Sequence, residues 1–143
     1  MKAYVDTSVL VAYYCPEPLS ERAETFLLAQ KEPAISFLTE VEFFSAVSRK
    51  VREKTIEKKD AGKIIAKFIS HLDGSHYICL PVERHHFQLA RDWISTFQFA
   101  LRTLDALHLA IGSSEGRMIV TSDPGLFKFA KALTIDTLFI EQK

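Results

Sequence analysis

The chain alternates short apolar segments without a helical period and longer segments with one, and this alternation constrains the fold more than any other feature. Amphipathic, helix-like segments separate the short segments, two in each of the first three intervals and one in the last. Because strands separated by helices pair through crossovers, the order βαα-βαα-βαα-βα-β predicts an α/β sandwich with a parallel sheet. The predicted strands are residues 3–5, 34–37, 77–82, 117–121 and 136–140.

The length and the apolar runs exclude several classes of protein. A chain of 143 residues with 48% hydrophobic side chains fits one globular domain, 1–143. Its longest apolar run, Val9 to Cys15, has seven residues, whereas a bilayer span needs about twenty. We therefore expect a cytoplasmic protein with no membrane segment. Cys15 and Cys79 are too few for a disulfide framework and are expected to be buried free thiols.

The net charge is zero, from 18 basic and 18 acidic residues, but it is unevenly distributed. Residues 1–48 carry 3 basic and 7 acidic side chains, whereas residues 49–67 carry 8 and 3. The total excludes a domain that binds nucleic acid through overall positive charge. Any affinity for phosphate must therefore come from local patterning.

Four acidic residues are predicted to meet at one edge of the sheet. Ligands of parallel sheets bind beyond the carboxyl ends of the strands, and Asp6 and Asp123 directly follow the first and fourth strands. Glu42 and Asp105 lie near the starts of helices expected at the same edge. Such a cluster needs a cation, because neighbouring carboxylates raise one another's pKa. Oxygen ligands without a cluster of Cys or His favour Mg²⁺ or Mn²⁺.

Each of these acids also has an ordinary structural interpretation. Asp6 is a good cap for the first helix, Asp105 is a first-turn acid favoured by the helix dipole, and Asp123 is a typical turn residue before proline. Thr39 and Glu42 have the spacing of a capping box at the start of a long helix.

Glu40 competes with Glu42 for the functional role. On a helical wheel Glu40 falls among large apolar residues, whereas Glu42 shares its face with the small residues Ser45 and Ala46. Because small residues leave room for a pocket, we prefer Glu42.

Four segments together resemble a known family. Residues 4–10 (YVDTSVL), 38–42 (LTEVE), 104–110 (LDALHLA) and 119–123 (IVTSD) are similar to the four acidic motifs of PIN-domain ribonucleases. The similarity is greatest to the VapC-type toxins of toxin–antitoxin pairs, and it extends over nearly the whole chain in the right order.

The resemblance implies a three-layer α/β/α PIN-like fold with a central parallel sheet of four to five strands, in the order 3-2-1-4-5. It implies an endoribonuclease that depends on Mg²⁺ or Mn²⁺, with Asp6, Glu42, Asp105 and Asp123 as the catalytic, metal-binding quartet. The water activated at such a site would attack an RNA phosphodiester. A small antitoxin protein and a second copy of the chain, forming a homodimer, are the implied partners.

Other residues near the acidic edge have less specific signals. Ser8 and Thr121 look like the hydroxyls that hold the carboxylates in this family, although both also suit turns or strand ends. Arg49 and Arg102 are candidates to bind a phosphate, and each is equally well explained as a surface charge. His108 lies one helical turn from Asp105 and suggests a metal ligand, but a lone histidine on an apolar helix is more often packed or bonded to backbone.

Two other functions compete with the nuclease. One is a catalytically silent PIN-like module that binds RNA or a protein, which the retention of all four carboxylates disfavours, because unused like charges only destabilise a fold. The other is a phosphotransfer enzyme with Asp6 as nucleophile. Ser8 disfavours this reaction, since it stands where a second acid would protonate the leaving group.

Overall fold

The computed structural model describes residues 2–141, which form a five-stranded parallel sheet between two layers of helices. The order of elements confirms the α/β pattern predicted from the sequence, and the strand order β3-β2-β1-β4-β5 confirms the topology implied by the resemblance. The elements are β1 (Ala3–Val5), α1 (Thr7–Tyr14), α2 (Ser20–Leu28), β2 (Ala34–Ser36), α3 (Phe37–Arg52), α4 (Lys58–Asp73), β3 (Ile78–Leu80), α5 (Arg84–Ile94), α6 (Thr103–Ser114), β4 (Met118–Thr121), α7 (Pro124–Ala132) and β5 (Thr137–Phe139).

Strand β1 is buried on both faces, which explains why its sequence is apolar without alternation. Ala3 and Val5 pack into a core formed with α1 to α4. Tyr4 points to the opposite face, into a core formed with α5, α6 and α7. The two cores make the three layers of the fold.

The sheet changes direction next to β1. The chain runs outward from β1 to β2 and β3, and then returns to place β4 on the other side of β1. The helices that follow β1 and β4 therefore lie on opposite faces, which opens a crevice at the carboxyl ends of these strands. The N–H of Asp6 donates to the carbonyl of Val120 at 2.9 Å, so the first predicted acid lies at this point.

Helix α3 begins at Phe37, two residues before the start that the sequence suggested. Ser36 and Thr39 form the capping box: Ser36 Oγ accepts from the Thr39 N–H at 3.4 Å, and Thr39 Oγ1 accepts from the Ser36 N–H at 3.1 Å. The alternative capping box of Thr39 with Glu42 is therefore wrong. Glu42 lies in the second turn of the helix and its side chain is not needed for capping.

Strands β3 and β5 are shorter than predicted, at three residues each. Residue 81, directly after β3, is a proline, which has no N–H to continue a strand ladder. Cys15 is buried and Cys79 is partly buried, and both are free thiols, so the expectation of burial is wrong for Cys79. Between residues 2 and 141 there is no helix that is both long and apolar enough to span a bilayer.

Helix α6 packs closely on β1 and β4 at Gly112. A Cβ at this position would lie 2.3 Å from Ile119 Cδ1 and 3.1 Å from Tyr4 Cβ, and both neighbours are fully buried. A Cβ at Gly62, inside α4, would meet no atom within 4 Å.

We expect the two glycine-to-alanine variants to change stability in opposite directions. Gly112→Ala should lower the free energy of unfolding by about 1–3 kcal/mol, because the added methyl group overpacks the core. Gly62→Ala should raise it by about 0.5–1 kcal/mol through helix propensity. Urea denaturation followed by circular dichroism measures both changes. A neutral or stabilising Gly112→Ala would contradict the close packing of α6 on the sheet.

Candidate functional site

A cavity of about 510 Å³ opens at the carboxyl ends of β1 and β4. It brings together all four acids and both arginines that were predicted from the sequence, together with Ser8. The lining residues are Asp6, Thr7, Ser8, Glu42, Arg49, Arg102, Thr103, Leu104, Asp105, His108 and Asp123. Thr121, the remaining predicted residue, does not line the cavity but contacts Asp6.

Asp6 is held by two hydroxyl groups. Its Oδ2 accepts from Ser8 Oγ and from Thr121 Oγ1, both at 2.8 Å. The residue occupies the position before α1 but makes no side-chain capping bond, so the interpretation of Asp6 as a helix cap is wrong. At 6% exposure, this buried carboxylate depends on the two hydroxyls for its orientation.

The same two hydroxyls, one on α1 and one at the end of β4, also bind the turn that follows β4. Ser8 Oγ accepts from the Ser122 N–H, and Thr121 Oγ1 accepts from the Asp123 N–H, both at 3.0 Å. Each hydroxyl thus donates to Asp6 and accepts from the turn. The positions of Asp6 and Asp123 are therefore coupled through short, local hydrogen bonds.

Asp123 caps α7 as well as lining the cavity. Its Oδ1 accepts from the Gly125 N–H at 2.8 Å, so the residue interpreted from the sequence as a turn residue before proline is the cap of this helix. Oδ2 receives no hydrogen bond from any residue between 2 and 141. One carboxylate can therefore serve both the helix and the cavity.

Asp105 lies in the first turn of α6 in an unfavourable electrostatic environment. Burial raises its pKa, and the negative charges of Asp123 and Asp6 raise it further. Arg102 opposes this shift, with its Nε 3.5 Å from Asp105 Oδ2, but the Arg102 side chain is 81% exposed. The pKa of Asp105 is therefore raised overall despite the nearby positive charges of Arg102 and His108.

Glu42, rather than Glu40, enters the cavity. Glu40 Oε2 accepts from the Cys79 thiol at 2.9 Å. Glu42 Oε1 accepts from Thr7 Oγ1 at 2.7 Å and from His108 Nε2. Burial alone would raise the pKa of Glu42, but the hydrogen bonds from His108 and Thr7 and the charge of His108 lower it overall.

His108 is buried beneath the carboxylates. Burial by itself lowers the pKa of His108, but the hydrogen bond to Glu42 and the charges of Asp6, Glu42 and Asp105 outweigh it, so the pKa is raised. The sequence analysis interpreted His108 either as a metal ligand or as a packed residue. In the structure its ring is hydrogen-bonded to Glu42.

Thr7 and Tyr4, which contact Glu42 and His108, were missed by the sequence analysis. Thr7 is adjacent to Asp6, but nothing in the sequence indicated a contact with Glu42, 35 positions away. Tyr4 Oη lies 2.7 Å from His108 Nδ1. A tyrosine in an apolar strand gives no local signal of such a bond.

The donor set of the cavity suits a hard divalent cation, because it consists of carboxylate oxygens without thiolate. A cation bound nearby would oppose the burial and the neighbouring carboxylates that raise the pKa of Asp105. As the side chains stand, residues 2–141 contain no group of three or more His, Cys, Asp or Glu that could hold a metal ion. The four acids share one cavity and suit the ion in chemistry, and their assignment as ligands stays a prediction.

Comparison with protein families gives one match, to the PIN domain, over residues 3–132. No curated protein sequence matches the chain significantly. The fold is similar to that in several solved structures, all at low sequence identity.

The structure of VapBC2 from Rickettsia felis, bound to a DNA fragment from its promoter, aligns with a TM-score of 0.70 at 16% identity, covering 99% of this chain and 100% of that one. VapC20 from Mycobacterium tuberculosis, described as a sarcin-ricin loop cleaving toxin, gives 0.71 at 15%, covering 90% and 95%. FitAcB from Neisseria gonorrhoeae gives 0.68 at 18%, covering 95% and 96%. These likenesses show a shared fold.

Burial of Asp105 beside Asp123 and Asp6 predicts an effect on stability that can be measured. Because its pKa is raised on folding, this carboxyl favours folding at low pH and opposes it as the pH rises through the raised pKa. We expect Asp105→Asn to raise the melting temperature at pH 7 in EDTA, with the gain disappearing below pH ~3. Asp92→Asn, on the exposed surface of α5, is the control. A lower melting temperature for Asp105→Asn at pH 7 would contradict this view of the cavity.

Proposed function

Since the chain belongs to the PIN domain family, whose model covers residues 3–132, we propose that it is a Mg²⁺-dependent endoribonuclease and the toxin of a toxin–antitoxin pair. The observation that carries the proposal is the convergence of Asp6, Glu42, Asp105 and Asp123 on one cavity at the switch point of the sheet. This is the place where parallel α/β sheets bind ligands.

The carboxylates of Asp6, Asp105, Asp123 and Glu42 would hold Mg²⁺ or Mn²⁺. Such an ion, when bound, lowers the pKa of water and offsets charge on phosphate oxygens. Ser8 and Thr121 fix the Asp6 carboxylate through their hydrogen bonds to Oδ2. This preorganisation lowers the cost of arranging the site at the moment of reaction.

Arg49 and Arg102 line the same cavity and would bind the phosphates that flank the scissile bond. Arg49 belongs to the last turn of α3. It is also the first residue of the segment 49–67, which carries 8 basic and 3 acidic side chains. This basic segment would draw the RNA backbone toward a cavity that is itself acidic. The cleaved RNA would carry a 5′-phosphate and a 3′-hydroxyl.

The proposed partners are a small antitoxin and a second copy of the chain. The similar structures from Rickettsia felis and Neisseria gonorrhoeae are described as VapBC2 and FitAcB, which supports an antitoxin. A basic side chain of the antitoxin would neutralise the acidic cavity. Exposed Phe87 and Phe97, at 52% and 93%, border a groove of about 720 Å³ and supply apolar area for a homodimer.

A catalytically silent PIN-like module is the alternative, and one observation favours it: no three metal-binding side chains among residues 2–141 are placed to hold an ion as they stand. The nuclease is preferred because four carboxylates share one cavity, and a bound cation would offset the burial and neighbouring charges that raise the pKa of Asp105. A single experiment on RNA cleavage separates the two functions.

We expect the purified protein to cleave RNA in Mg²⁺ and not in EDTA. Asp6→Asn and Asp105→Asn should each reduce the rate by about 100-fold or more, because each removes a charge from the site without changing its shape. Asp92→Asn should cleave like the wild type. Cleavage of total cellular RNA, with mapping of the 5′ ends, gives the rate and the products. Unchanged rates in both site variants would reject the metal-site assignment.

In cells, production of the wild-type chain alone should arrest growth, because uncontrolled RNA cleavage stops protein synthesis. Asp6→Asn, produced at the same level, should not arrest growth. Co-production of the antitoxin, expected from a short neighbouring reading frame, should restore growth of cells that make the wild type. Normal growth with the active nuclease would favour a housekeeping role over a toxin.

A further inference from the structure

Tyr4 and His108 form a buried pair directly beneath Glu42. Tyr4 is fully buried on β1, and His108 on α6 is 2% exposed. Tyr4 Oη lies 2.7 Å from His108 Nδ1, and the other ring nitrogen, Nε2, contacts Glu42 Oε1. A continuous chain of hydrogen bonds therefore links the central strand of the sheet to one acid of the cavity.

The Glu42 carboxylate determines which nitrogen of the ring carries the proton, because a carboxylate only accepts hydrogen bonds, and the Tyr4 hydroxyl satisfies the other nitrogen. When the imidazole is neutral, the Tyr4 hydroxyl can donate to Nδ1, and the proton then resides on Nε2. When the imidazole is charged, Nδ1 donates to Tyr4 Oη, which can donate in turn to Ser36 Oγ at 2.9 Å. In both forms Nε2 donates to Glu42.

Glu42 needs such a donor because its side chain is long and flexible and starts from the second turn of α3. Both of its hydrogen bonds, from Thr7 and from His108, go to Oε1. Oε2 receives none from any residue between 2 and 141. Two donors on different helices, α1 and α6, thus fix one oxygen and leave the other for a ligand.

We propose that Tyr4 and His108 are positioning residues that hold the Glu42 carboxylate in place for a divalent cation in the cavity. The inference rests on the proposed function, because it assumes that this cavity binds such an ion. The proposal gives residues 104–110 a second role, supplying His108, besides supplying Asp105. Neither Tyr4 nor His108 needs to touch the ion or the RNA, since both act through Glu42.

The first test measures Mn²⁺ binding by calorimetry on the purified chain without RNA. His108→Leu should weaken binding by about 10- to 100-fold, the range seen when a hydrogen-bond partner of a metal ligand is lost. His108→Gln should recover most of the affinity, because its amide places an N–H near the position of Nε2. Tyr4→Phe should weaken binding by about fivefold, the effect of one lost hydrogen bond.

His86→Leu is the matched control. His86 is as buried as His108, at 1% against 2%, but it caps α5 through its Nδ1 and does not line the cavity. The His86→Leu substitution should lower the melting temperature and leave Mn²⁺ affinity unchanged. Loss of affinity in His108→Leu but not in His86→Leu separates positioning from general destabilisation.

Nitrogen NMR of the histidine side chains supplies a second readout that needs no metal. The His108 ring should carry a proton on Nε2 in the wild type. A ring protonated on Nδ1 alone would overturn the proposal, as would wild-type Mn²⁺ affinity in a folded His108→Leu variant. If that variant does not fold, Tyr4→Phe decides, and unchanged affinity there rejects the proposal.

The outcomes distinguish this inference from the proposed function. If the wild type binds no Mn²⁺, the proposed metal-dependent nuclease fails, and the positioning role fails with it. If the wild type binds Mn²⁺ and the His108 and Tyr4 variants bind it equally well, only the positioning role fails.

Discussion

Burial of β1 on both faces is the constraint on which the rest of the structure depends. A strand in the middle of a parallel sheet needs a helical layer on each side, and the seven helices between residues 2 and 141 supply the two layers. The strand order then places β4 beside β1 and opens the crevice at their carboxyl ends. Asp6 lies in this crevice because it is the first residue after the buried strand.

The cavity brings carboxylates together in a partly buried place, where the charged form of Asp105 is unfavourable. Asp105 is disfavoured as an anion by burial and by Asp123 and Asp6, while Asp6 and Glu42 are stabilised by hydroxyls and by the His108 ring. The hydrogen bonds reduce the cost of burying individual carboxylates but do not remove the repulsion among them. Such an arrangement is typical of functional sites, where groups are placed for a ligand and not for stability.

Much of the fold was predictable because strands and helices have different periods. The order of elements and the parallel sheet followed from that pattern, and the strand order from the resemblance to a family. The start of α3 was predicted incorrectly because the choice between Ser36 and Thr39 as the first cap depends on which hydroxyl reaches which N–H. The lengths of β3 and β5 were also overestimated. Strand β3 ends directly before Pro81, whereas β5 ends where its pairing with β4 stops, and this second cause is not a local property.

The positions of the four acids at one edge followed from the sequence, because the carboxyl ends of parallel strands share an edge. The contacts that hold these acids in place could not be predicted from the sequence. Thr7 and Glu42 are 35 positions apart, Thr121 and Asp6 are 115 apart, and Tyr4 and His108 are 104 apart. The sequence by itself determined the fold class and the family motifs, because hydrophobic period and residue spacing are local properties. Only the tertiary structure decided which hydroxyl or imidazole orients each carboxylate, because those hydrogen bonds form between elements brought together by packing.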